Sequence, residues 1–340
     1  MEDRRKSIWQ RLGLEGLAYP VPDHANTLAY SLGGITLGGM IILIVSGVLL
    51  TLYYNPSPDL ANGSIRFLMT STATGRLLRG IHFWTAQVVM LTLLLHLARV
   101  FFTGSYRAPR RATWWVGVLL LAIAVGQYFT GTVIKWDQEG WEALGHATEI
   151  GSEFGPLGAP LTPGFASNAP LLTRVYAIHI SLIPLLLAIL IAIHLVLIKK
   201  HELSPRPGQE QVPEKTIPFT QHLTRLFGYG LIVLGLVTIL SILLPPGLGP
   251  SPVEGIELSK PAWVFLPLVP VEDKLGVLGI PLGAGLIFLG LILTPFLDRA
   301  PSNAYRPRAW LLAFGTVVML ALIGLGVYAI YAPQVSHLGM

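Results

Sequence analysis

The chain has 340 residues, 52% of them hydrophobic and only 12% charged, whereas soluble domains carry about 25% charge; this composition points to a bilayer. The absence of cysteine excludes structural disulfides, thiolate zinc, iron–sulfur ligation by this chain and thioether-linked haem, leaving histidine as the main candidate metal ligand. The net charge is +5, but the basic residues adjoin apolar spans, so nucleic acid is not an expected partner.

The first twenty residues are charged and lack the apolar run and cleavage site of a secretory signal. Ser7 to Leu12 could lie along the membrane surface or form a plain tail. Seven stretches then reach the roughly 20 apolar residues that a bilayer crossing needs. They lie at 28–53, 78–102, 114–134, 176–198, 226–244, 275–297 and 310–332. Proline-rich breaks such as Asn55-Pro56-Ser57-Pro58 and Pro245-Pro246-Gly247 separate them. The expected fold is an all-α integral membrane protein with seven transmembrane helices.

Lysine and arginine are distributed unevenly between alternate connections. The N-terminus and the second, fourth and sixth connections carry 15, against six in the other three. The positive-inside rule places the first set in the cytoplasm. The N-terminus is then cytoplasmic, the C-terminus lies outside, and the second and fourth spans run in the same direction. The proline-rich stretch 201–217 reads as a cytoplasmic linker between a four-helix unit (1–200) and a three-helix unit (218–340).

The second span carries His82 and His96, and the fourth His179 and His194, at spacings of 14 and 15 residues. At ~1.5 Å rise per residue these steps cover ~21 and ~22 Å. Fourteen steps return to within about 40° of the starting face and 15 to within about 60°. Because the two spans are parallel, His82 and His179 share a depth near the outer surface, and His96 and His194 one near the inner surface. A single intramembrane histidine could equally hydrogen-bond a neighbouring helix. Two matched couples fit two haem irons, each held from both sides in a bundle core.

Arg79, Arg99 and Arg174 flank these histidines on the side of the nearer surface, where anionic haem propionates need partners; interfacial topology signals are the plainer alternative. Gly33 and Gly47 in the first span, and Gly117 and Gly131 in the third, repeat the 14-residue step. They make room for a macrocycle at each level or for close helix packing.

These residues resemble cytochrome b of the cytochrome bc complexes, in its shorter cytochrome b/b6 form. The resemblance rests on Ser31-Leu32-Gly33-Gly34-Ile35-Thr36-Leu37, Arg79-Gly80-Ile81-His82-Phe83-Trp84, Trp136-Asp137-Gln138, and Leu172-Thr173-Arg174-Val175-Tyr176 leading to His179. The 15-residue step resembles the plastid-type protein. The last three spans are similar to the following subunit of such complexes (subunit IV), fused into one chain. The match is specific over the first 200 residues and weaker beyond.

The resemblance implies a four-helix bundle with two non-covalent haem b groups, His82 and His179 on the outer iron and His96 and His194 on the inner. It implies quinol oxidation at the outer surface, one electron passing to a Rieske iron–sulfur protein and the other crossing through both haems to quinone near the inner surface. It further implies a c-type cytochrome partner, a homodimer within a larger complex, and a prokaryotic cytoplasmic membrane. The chain would be one redox subunit and not a complete enzyme.

Two departures qualify this. Where the family carries Pro-Glu-Trp-Tyr, this chain has Pro261-Ala262-Trp263-Val264, and alanine can accept no proton. Either Glu257, Glu272 or Asp273 takes over beside Trp263, or ordinary bifurcated oxidation is lost and the outer haem serves a non-Rieske partner, such as a multihaem cytochrome or a dehydrogenase module. Ser31 stands where plastid-type relatives attach an extra haem through cysteine, so that attachment is impossible. Near the inner surface Arg99, Lys199, Lys200, His201 and His222 are candidates for quinone contact or proton supply. Lipid headgroups are the plainer partners for the lysines, and surface positions the plainer expectation for these two histidines.

Overall fold

The computed structural model describes Gly13, Gly16 and residues 18–257 and 259–338; the membrane-surface expectation for Ser7 to Leu12 lies outside them. A short strand β1 (Pro20–Pro22) leads into α1 (Leu28–Leu50), α2 (Ala61–Ser71), α3 (Ala73–Phe102), α4 (Arg111–Ile134) and α5 (Gln138–Glu153). Next come α6 (Leu171–His201), strand β2 (Thr216–Pro218), α7 (Phe219–Leu243), α8 (Val269–Leu275), α9 (Gly279–Leu297) and α10 (Ala309–Tyr331). Seven helices (α1, α3, α4, α6, α7, α9 and α10) are long and apolar enough to cross a membrane. Their large side chains face outward, as at Phe227, Ile232 and Leu286, which suits lipid and would be costly in water.

Helix α1 packs on α3, and both pack on α7. Helix α6 packs chiefly on α4. The two histidine-bearing helices, α3 and α6, are each backed by a neighbour and are not principal partners of one another. Helix α6 is not regular: Ile178–Leu182 forms a π-turn immediately before Pro184. A proline has no N–H for the carbonyl four residues back and its ring crowds that carbonyl; the wider turn absorbs the misfit.

The connections gather at two opposite ends. At one end β1 pairs antiparallel with β2, Val21 opposite Ile217. Buried His24 holds Glu214 at 2.5 Å and the Ser204 carbonyl at 3.1 Å, and Ser105 Oγ meets Ser204 Oγ at 2.6 Å. The segment 201–217 is thus fastened along its length to the N-terminal strand. At the same end Arg308, fully buried, donates to Asp298 Oδ2 at 2.9 Å and to the carbonyls of Phe101 and Phe102. Arg107 and the Tyr106 hydroxyl also bond Asp298.

At the opposite end Asn62 donates to the Trp136 carbonyl, and Gln138 holds Val253 and Ile256. Asp137 caps α5 through the Gly140 N–H and accepts from the Gly249 N–H. The basic-rich connections therefore share one end and the basic-poor ones the other, as the lysine and arginine distribution requires.

Candidate functional site

His82 and His179 lie within Coulombic range of each other, as do His96 and His194, so the four histidines form two couples across the gap between α3 and α6. Spacing alone put His194 about 60° from the face of His179. The π-turn takes up the extra residue, so the 15-residue step of α6 serves as the 14-residue step does in α3.

The couple His82 and His179, expected at the outer level, is oriented by hydroxyls. Ser46 Oγ lies 2.9 Å from His82 Nδ1 and donates its own proton to the Ile42 carbonyl at 2.7 Å. Thr130 Oγ1 lies 2.8 Å from His179 Nδ1 and bonds the carbonyls of Gly126 and Gln127. A hydroxyl has one proton, so in both cases it accepts from Nδ1–H and leaves the Nε2 lone pair free. Hydrogen bonding at the far ring nitrogen in this way fixes a metal-ligating tautomer. Among the described residues no hydrogen bond uses Nε2 of His82, His96 or His179. The inner couple is held differently: Arg99 Nη2 is 3.5 Å from His96 Nδ1, and His194 faces the Thr113 backbone.

Each expected glycine meets one of these rings. A Cβ at Gly33 would lie 2.9 Å from His96 Cε1, at Gly47 3.1 Å from His82 Cε1, at Gly131 3.1 Å from His179 Cε1, and at Gly117 3.4 Å from His194 Cε1. Each glycine thus stands directly against an imidazole and gives that ring its room. The distances yield a contrast. Gly33→Ala should displace His96 and perturb or lower the inner haem signal, whereas Gly117→Ala, at ordinary van der Waals separation, should leave it near wild type. Low-temperature absorption spectra of the two variants check this, and equal effects would contradict the packing described.

The family model for cytochrome b/b6/petB matches residues 17–202. The chain belongs to the cytochrome b/b6 family. The cytochrome b6 of Mesostigma viride is 36% identical over 203 residues, which is 57% of this chain and 94% of that protein. A chain of a hyperthermophilic respiratory Complex III superposes with a TM-score of 0.80 at 23% identity, over 98% of this chain and 91% of that one, and so shares the fold. Membership implies a multi-pass haem b protein.

In this cytochrome b the flanking arginines are not equivalent. Arg79 bonds the carbonyls of Pro246 and Gly247, and Arg174 those of Pro160 and Thr162. Both also brace connections. Arg99 lies over the Tyr30 ring, 4.6 Å from its centroid, and like Arg174 buries an Nε without a hydrogen-bond partner. Lys199 sits over Tyr19, and His201 is 3.4 Å from Thr113 Oγ1. His222 is buried rather than on the surface, because Asn26 Oδ1 takes its Nδ1 at 2.9 Å.

The expected outer-site residues separate into two groups. Trp263 Nε1 donates to Gln87 Oε1 at 2.7 Å, and the Tyr128 hydroxyl donates to the same oxygen at 2.9 Å. Gln87 stands just inward of His82, and Tyr128 one turn before Gly131, so this polar spot lies at the depth of the outer couple. Glu257, Glu272 and Asp273 instead meet His146 of α5 and His337 beyond α10. Burial opposes charge on His146, but Glu272, the Glu142 carbonyl and Glu257 outweigh it and raise its pKa to about 9. Burial alone would raise the Glu257 carboxyl; the backbone N–H groups of Leu338 and His337, with His146, hold it below the usual range.

The sequence reading missed Ser46, Thr130, Gln87, Tyr128, His146 and His337. The first two carried a signal: Ser46-Gly47 and Thr130-Gly131 repeat a hydroxyl–glycine pair at the outer level, while Leu32-Gly33 and Val116-Gly117 do not at the inner. Nothing in spacing links His146 to His337.

Proposed function

We propose that the chain is the di-haem cytochrome b subunit of a quinol:acceptor oxidoreductase and carries electrons between an outer and an inner quinone-reactive site. His82 and His179 hold the outer iron, and His96 and His194 the inner. The observation that carries this is two imidazole couples at two depths, each ring backed by a glycine, with Nε2 of His82 and His179 left free by the hydroxyls at Nδ1. Haem b supplies one-electron chemistry when bound. The protein fixes tautomer, depth and separation. The partnerless Nε of Arg99 is assigned to an inner propionate; Arg79 and Arg174 serve the outer one from their carbonyl-braced positions.

At the outer site Trp263, Gln87 and Tyr128 offer the polar contact for a quinol headgroup. With Ala262 unable to take a proton, Glu257 or Glu272 would accept it through His146 and His337, the groups that face them. Partners are a Rieske protein and a c-type cytochrome within a homodimeric complex of a prokaryotic cytoplasmic membrane, with the basic-rich end inside. The replacement at Ala262 favours a second reading, a di-haem subunit coupling the quinone pool to a multihaem cytochrome or dehydrogenase module.

A pyridine haemochrome assay is expected to find two non-covalent b haems per chain; none, or one, would overturn the di-haem reading. Subunit composition of the intact complex then decides between partners. A co-purifying Rieske protein supports the first reading, and a complex lacking one the second.

A further inference from the structure

Five ionisable side chains from separate segments converge at the outer end: His146 from α5, Glu257 from the α7–α8 connection, Glu272 and Asp273 from α8, and His337 from the tail. We propose that this cluster is a binding site for a zinc-class divalent cation, with His146 Nε2, His337 Nδ1 and Glu257 Oε1 as ligands and Glu272 beside them.

Distances support a shared ion. His146 Nε2 lies 3.5 Å from Glu257 Oε1 and 3.0 Å from Glu272 Oε1; His337 Nδ1 lies 3.7 Å and 4.0 Å from the same two oxygens. Tetrahedral zinc with bonds of about 2.0–2.1 Å puts ligand atoms about 3.3 Å apart. The donor atoms of His146, Glu257 and His337 all lie within 4.8 Å of one another. The carboxylates are buried beside the imidazoles: the Glu272 side chain is 7% exposed and that of Glu257 6%. Glu272 Oε1 pairs with His146 Nε2 at 3.0 Å and has no other hydrogen-bond partner. Carboxylate oxygens and imidazole nitrogens held together out of water are the donor set that a cation completes.

The surroundings are those of ligands held in place. His146 Nδ1 lies 2.8 Å from the Glu142 carbonyl; a carbonyl only accepts, so Nδ1 carries a proton and Nε2 is the nitrogen that faces the cluster, where a cation would displace its proton. Glu257 Oε2 accepts from Ser336 Oγ and from the backbone N–H groups of His337 and Leu338, leaving Oε1 for the cation. Asp273 Oδ1 sits 3.0 Å from His337 Nε2, behind the ligand. Two imidazoles and a carboxylate favour zinc over magnesium or calcium, which prefer all-oxygen sites. The bound ion would tie the tail to α5 and α8, and it excludes proton acceptance by the same oxygens while it is there.

The test uses the haem-loaded full chain in detergent, dialysed against Zn²⁺, with Mg²⁺ and Ca²⁺ in parallel. About one zinc per chain is expected and neither hard cation. His146→Ala and His337→Ala should each weaken binding more than tenfold, and Asp273→Asn roughly 10–100-fold, with haem spectra unchanged. Zinc-edge X-ray absorption on the unaltered chain should show two imidazole nitrogens. No zinc bound, a spectrum without imidazole, or His337→Ala binding as tightly as wild type would overturn the site. Haem content does not depend on this outcome, so a failure here leaves the electron-transfer reading standing.

Discussion

His96→Leu is expected to halve the haem b content, leaving one haem per chain with the outer spectrum intact, and to abolish electron transfer between the two surfaces. Leucine fills the ring's space beside Gly33 without offering a nitrogen, so on the proposed assignment only His194 would remain to hold the inner haem. His82→Leu should do the converse: the outer haem is lost, and Ser46 Oγ is left without the imidazole it faces. Haemochrome quantitation with a redox titration of each variant checks both. Retention of two spectrally normal haems in either would show that the couples are assigned wrongly. Loss of both haems together would mean that the couples are not independent.

Arg308→Leu is expected to destabilise the protein by about 3–5 kcal/mol, the usual cost of removing one partner from a buried ion pair. The Arg308 and Asp298 side chains are 0% and 2% exposed. Removing the guanidinium takes the fully buried cation from Asp298, leaving it Arg107 and the Tyr106 hydroxyl, and takes a donor from the Tyr106 oxygen at 3.0 Å and from the carbonyls of Phe101 and Phe102. Thermal unfolding in detergent, followed by haem absorbance, reads the loss. The double variant Arg308→Leu with Asp298→Asn should recover part of it, since the under-compensated charge is then gone.

The same network gives a pH dependence. Burial alone would raise the Asp298 carboxyl, but the Tyr106 hydroxyl, Arg308 and Arg107 outweigh it and hold the pKa below its usual 3.8. A depressed folded-state pKa means stability fully present above the unfolded value, about pH 4. It is lost as pH falls through the folded value. The acid limb of the stability profile should therefore flatten in Asp298→Asn.

Much of the molecule was legible in one dimension because a bilayer imposes simple rules. A crossing helix must satisfy its own backbone hydrogen bonds over the hydrocarbon thickness, so composition and length alone give the seven spans. Lysine and arginine bias assigns alternate connections to opposite sides, and the structure gathers those same connections at opposite ends. Periodicity along a helix is equally one-dimensional. His82 and His96, Gly33 and Gly47, and Gly117 and Gly131 each keep a 14-residue step, and the structure sets each of these glycines against a histidine.

What the tertiary structure decided is of another kind. The 15-residue step in α6 is brought into register by a π-turn before Pro184, which depends on how the helix packs and not on its pattern. The imidazole that each glycine meets follows from helices lying side by side although the paired residues are 35 to 77 positions apart along the chain. His146 and His337 share no motif with Glu257 or Glu272. They meet because α5, α8 and the tail close over the same end of the bundle. Contacts between segments far apart in sequence carry no local signature, since their cost and reward lie in loop closure and desolvation, which only the folded chain defines.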